Sequence, residues 1–209
     1  MASPRVARLV SAIAFAIGFC AGSSPALGAQ SAGRRSPHAS PAHRRSAGGR
    51  TCANAGLTPT THDLKLIRAA TLCLVNRERA AHGERPLRAN ARLARAAQAH
   101  ARSMAVYDYF EHVSPSGLTP LARMRAVGYI SSSHVGYEVG ENIAWATLAL
   151  ATPRAIVAAW MRSPGHRANI LDRRYRETGV GVSPHPPSSL AHGQPGALYT
   201  QDFGVIIRG

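Results

Sequence analysis

Lysine is almost absent from this chain, which has Lys65 and no other, and acids are scarce too, with ten Asp and Glu against 25 Lys and Arg. The ten acids are scattered from Asp63 to Asp202, so the clustered carboxylates of a metal-dependent nuclease are missing. Aromatic residues make up 6% of the chain, too few for a stacking platform along single-stranded nucleic acid, so the positive balance does not indicate a specific nucleic-acid partner. No Gly-x-Ser-x-Gly elbow, no His-Glu-x-x-His helix and no Gly-x-x-x-x-Gly-Lys phosphate loop occurs. The uncharged run at the N-terminus, Leu9 to Phe19, is about half the roughly 20 residues that a spanning helix needs.

That run has the form of an export leader. Arg5 and Arg8 precede it, small residues follow, and Ala26-Leu27-Gly28 fits a small-x-small cleavage site, so residues 1–28 read as a signal peptide. A lipoprotein anchor on Cys20 would need a small residue before it and meets Phe19. Residues 29–51 hold no apolar run and read as a disordered basic linker, since such a segment cannot bury enough surface to offset its ordering entropy. Five arginines fall in 30–50 and two in the leader, so the formal +15 drops to +8 from residue 51 onward. Residues 30–50 are suited to peripheral contact with anionic surfaces, or are simply a solvated linker.

Residues 52–209 are the right size for one domain. Its two cysteines, Cys52 and Cys73, read as one disulfide in an exported protein; two buried free thiols are the other reading. Ile67, Ala70, Thr71, Leu74, Val75 and Glu78 keep helical spacing and predict a helix over about 63–82, with Thr60-x-x-Asp63 as its capping box. Asn90 starts a second helix, striped by Leu93, Ala96, Ala97, His100, Ala101, Met104 and Tyr107; His100 on that stripe reads as a core histidine. A short helix spans Thr119 to Val127, and Pro153 opens another that buries Ile156, Val157, Trp160 and Met161. Strands are expected at 137–146, 179–182 and 198–207, the last two joined by a Pro- and Gly-rich connection as an irregular hairpin. Helices first and a small sheet later make this an α+β chain. Ser163-Pro164-Gly165 should stop the Trp160 helix and leave His166 just past the break.

Six segments arrive in an order that resembles one family: Leu72-Cys73-Leu74-Val75-Asn76-Arg77-Glu78-Arg79, Phe110-Glu111-His112-Val113-Ser114-Pro115, Gly140-Glu141-Asn142-Ile143-Ala144, Trp160 through Ser163-Pro164-Gly165-His166 to Leu171, Gly179-Val180-Gly181-Val182 and Tyr199-Thr200-Gln201-Asp202-Phe203. The chain resembles the CAP superfamily (cysteine-rich secretory proteins, antigen 5 and pathogenesis-related 1), or SCP domain, in its short bacterial form. The resemblance implies a three-layer α-β-α sandwich with a small, mostly antiparallel sheet, and a protein that is secreted, periplasmic or associated with the envelope. It also implies a cleft built on His112, Glu141 and His166, beside Asn142. The family's second glutamate falls at Ser163, which reduces a tetrad to a triad; Glu177 is the nearest acidic substitute. Two imidazoles and a carboxylate would suit zinc, with His112 and His166 as ligands and Glu141 as a third ligand or a base toward bound water. The same three groups could instead form a hydrogen-bonded cluster joining loops to sheet. The expected function is a non-enzymatic extracellular binding module for a lipid, metal or other envelope ligand. The alternative is a weak metal-assisted hydrolase of peptides or cell-wall components, with Glu141, His112 and His166 as its catalytic groups.

Overall fold

The computed structural model describes residues 9–11 and 51–207. The expected leader, apart from Leu9–Ser11, and nearly all of the expected linker lie outside the described residues. In chain order the elements are β1 (Leu9–Ser11), α1 (Leu64–Ala81), β2 (Arg88–Ala89), α2 (Ala91–Val106), α3 (Pro120–Ala126), β3 (Gly136–Thr147), a 3-10 turn (Leu148–Ala151), α4 (Pro153–Arg162), α5 (Pro164–Leu171), β4 (Glu177–Ser183), α6 (Ser188–Ala191) and β5 (Gly196–Ile207). The sheet order is β1-β3-β5-β4-β2. Its long pairings, β3 with β5 and β5 with β4, are antiparallel, and the two short outer strands run parallel to their neighbours.

Alternation along the strands gives each face its own helices. On one face Ile143 and Leu198 pack with Ala101 and Met104 of α2. On the other, Ala197, Tyr199 and Phe203 join Ile67 and Val75 of α1, Ile156 and Trp160 of α4 and Ile170 of α5. This is an α+β chain with a helix layer on each side of the sheet. Glycines set the spacing on the α2 side: a Cβ on Gly181 would stand 2.3 Å from the Ala97 backbone, and one on Gly179 would stand 2.0 Å from the Ala94 nitrogen. The helix therefore rests directly on bare strand backbone.

Local chemistry accounts for most boundaries. Asn90 Oδ1 accepts from the backbone N–H groups of Arg92 and Leu93 and starts α2 as expected. Thr119 and Thr152 cap α3 and α4 in the same way, each followed by Pro at the first helical position. The Thr60–Asp63 pair differs from its expectation. Asp63 accepts from the Thr60 backbone and hydroxyl, but α1 begins after Asp63, so the pair closes the preceding turn and caps no helix. On α1 the buried member of the stripe is Arg79 and not Glu78, because its guanidinium bonds the carbonyls of Arg85, Ile170 and Asp172 and ties α1 to the end of α5. Tyr107 is 71% exposed, since α2 ends at Val106 and releases it from the stripe. Met161 is only partly buried.

Cys52 and Cys73 form the disulfide, with Cα atoms 5.7 Å apart, and pin the segment before α1 to the middle of that helix. The break at Ser163 ends α4, but Pro164 then opens α5 at once, so His166 sits in the first turn of a new helix. The β4–β5 connection contains the short helix α6, which composition did not indicate. Gly181→Ala should cost about 1–3 kcal/mol by driving a methyl into the α2 backbone; urea unfolding with a cost below 0.5 kcal/mol would show that α2 can lift off the strand.

Candidate functional site

The β3–β5 register places Glu141 directly opposite Asp202 on the face turned toward α2. Three further groups approach from three other segments: His100 from α2, His112 from the α2–α3 connection and Arg123 from α3. Glu141 is 2% exposed and is held at both oxygens, with His112 Nδ1 at 2.8 Å from Oε1 and Arg123 Nη2 at 2.7 Å from Oε2. His100 Nε2 lies 3.8 Å from Oε1 while bonding the Glu111 carbonyl at 3.0 Å. Arg123 also donates to the carbonyls of Leu118 at 2.7 Å and His112 at 3.0 Å, so one guanidinium fixes both the connection and the carboxylate.

The electrostatics follow from burial and charge. Burial alone would raise the Glu141 carboxyl, but the His112 hydrogen bond and the Arg123 charge outweigh it and hold the group below the usual 4.5. Burial lowers His100 to about 4, with Glu141 pulling the other way. His166 is lowered to about 4, first by burial and then by the charge of His112. Both rings are therefore neutral at neutral pH.

His166 reaches this region from α5, on the other side of the sheet. Its Nδ1 lies 2.8 Å from Ser163 Oγ, and its buried ring lies against the Ile143 backbone. Ser163, at the end of α4, thus orients the histidine. Asn142 points away from Glu141: its amide donates to the His166 carbonyl and its oxygen accepts from Asn169, so it braces β3 against α5. Asn169 also donates to the Glu141 carbonyl and Trp160 Nε1 donates to the Ile143 carbonyl, which caps the outward edge of β3. Glu177, the expected acidic substitute, lies at the start of β4, where its carboxylate accepts from the Asn90 amide and the Tyr129 hydroxyl.

These residues do not fit zinc. Both Glu141 oxygens already face donors, a guanidinium cation stands where a divalent ion would compete, and no three His, Cys, Asp or Glu side chains among the described residues form a metal-holding group. The structure brings His112 and Glu141 into direct contact and places His166 against Ser163. Sequence reasoning missed Arg123 and Asp202. The first was legible in part, since Pro120, Arg123 and Met124 share the buried face of α3. Asp202 could be placed only once the strand register was known.

Residues 72–203 match the cysteine-rich secretory protein (CAP) family. The uncharacterised protein YkwD of Bacillus subtilis strain 168 is 34% identical over 131 residues, covering 62% of this chain and 44% of the relative. A solved extracellular protein containing an SCP domain, from Bacillus anthracis, superposes with TM-score 0.52 at 28% identity, over 72% of this chain and 44% of that one. An outer surface protein of Borrelia burgdorferi shares the fold at TM-score 0.53 and 16% identity, over 72% of this chain and 96% of its own. The chain spans less than half the length of YkwD and of the Bacillus anthracis protein.

Arg123→Met should cost about 3–5 kcal/mol at pH 7, because it leaves a buried carboxylate without its cation. The wild-type contribution of Glu141 is present above its unfolded value of 4.5 and is lost as pH falls through its lower folded value, so the deficit should shrink on acidification. Urea unfolding at pH 7 and pH 4 checks this, and a deficit that grows in acid would contradict it.

Proposed function

The chain belongs to the cysteine-rich secretory protein (CAP) family, and on that premise we propose that it is an exported, non-enzymatic binding module whose ligand is a lipid or another envelope molecule. One observation carries this reading: each oxygen of the Glu141 carboxylate already has a partner, Arg123 or His112, and the group is almost fully buried, so it is poorly placed to act as a base toward water or as a ligand to a catalytic metal. The centre is polar, buried and internally paired. His112, whose side chain is 13% exposed, is the member of the Glu141–Arg123–His112 group that reaches furthest toward solvent. Export is supported by the leader pattern in residues 1–28 and by the extracellular and outer-surface relatives. No helix among the described residues is long and apolar enough to cross a membrane. The arginines of residues 30–50 add peripheral attraction to anionic envelope surfaces.

The test is solvent extraction of the purified full chain followed by mass spectrometry, with vesicle flotation and zinc calorimetry alongside. An enriched lipid or flotation with vesicles is expected, together with equal zinc heats for the wild type and for His112→Ala combined with His166→Ala. No lipid and no flotation, or zinc-dependent peptide hydrolysis abolished by Glu141→Gln, would sink the proposal and favour the hydrolase.

A further inference from the structure

Asp202 is fully buried, and neither of its carboxyl oxygens has a hydrogen-bond donor. Its surroundings explain why. Across the sheet on one side it faces Glu141, and on the other its register partner is Gly179, which has no side chain and lies under the α2 backbone. The nearby Thr178 hydroxyl donates to the Asp202 backbone carbonyl and not to its carboxyl group. The charged and titratable groups around this point are Glu141 from β3, Arg123 from α3, His100 from α2 and His112 from the α2–α3 connection. Arg123 already donates to Glu141 and to two carbonyls, and its remaining buried nitrogen, Nε, bonds nothing.

Two ionised carboxylates are acceptors only, so side by side in a buried layer they repel and leave lone pairs unmet. A single proton resolves both problems: it leaves one carboxylate against the one arginine and turns the other acid into a donor. Glu141, with its two cationic or N–H partners, is the group that keeps the charge. We propose that Asp202 is a second carboxyl group of this centre, that it carries a proton, and that it donates a hydrogen bond to Glu141, positioning that carboxylate between Arg123 and His112. Electrostatics point the same way, since burial first and the Glu141 charge second push Asp202 well above the usual 3.8, against a smaller opposing pull from Arg123. Asp202 is a positioning residue, enclosed and out of reach of any ligand, and its role holds whatever the protein binds.

Asp202→Asn separates the alternatives, because asparagine is neutral at every pH and its amide can donate as the acid does. A carboxyl raised in the folded state gives stability that is complete below its unfolded value and is lost as pH rises toward its folded value. Relative to the variant, the unfolding constant of the wild type should therefore rise by up to tenfold per pH unit above about pH 4. The variant should match or exceed the wild type at pH 7, with its advantage growing toward alkaline pH. A variant weaker than the wild type at pH 7, with the deficit vanishing in acid, would mean that Asp202 is ionised and would overturn the assignment. If Asp202→Asn does not fold, isotope-edited infrared spectroscopy of the full-length wild type with labelled aspartate decides. A carboxylic-acid carbonyl band at pH 7 supports the protonated form, and its absence overturns it.

Discussion

The contact between the Arg123 guanidinium and the Glu141 carboxylate, closed inside the α2 side of the sheet, sets the terms for what surrounds it. A buried carboxylate is tolerated only when its charge and its lone pairs are both answered, and here Arg123 and His112 answer one oxygen each. Since Arg123 also bonds the carbonyls of His112 and Leu118, the same cation fixes the connection that delivers His112. Removing any one member would expose the demands of the others, which is the behaviour of a fully connected polar network.

The opposite side of the sheet solves a different problem. The short pairing of β3 with β1 ends at Glu141, and there and just beyond it the carbonyls of Glu141 and Ile143 accept from Asn169 and Trp160. Asn142, the neighbour of Glu141, reaches the His166 carbonyl and the Asn169 amide. The Trp160–Asn169 segment is thus a clasp along one strand, and Ser163 and His166 are bonded to each other within it. Several residues that stand out as a functional motif are explained first by this bracing.

How much of this was legible in sequence depended on the range of the interaction. Helix starts at Asn90, Thr119 and Pro153 were readable because caps and first-turn prolines act over two or three residues. The three long strands and the Cys52–Cys73 bridge were likewise anticipated. The zinc expectation did not fit the structure because it treated His112, Glu141 and His166 as free donors, and the cation that occupies Glu141 comes from a helix on the far side of a connection. Arg123 sits in an arginine-rich chain where one more arginine draws no notice. Asp202 became visible only through the register with β3, which no local pattern encodes.

A paired, buried carboxylate suits a structural centre better than a reacting one, and the proposed binding role rests on the charge state of Glu141. Carbon-detected NMR titration of the Glu141 side-chain carboxyl carbon measures that state directly. The account predicts that this carbon shows the ionised form through neutral pH and takes up its proton only below the ordinary 4.5. Protonation at or above that value would show that Arg123 and His112 do not hold the charge, and would contradict the account.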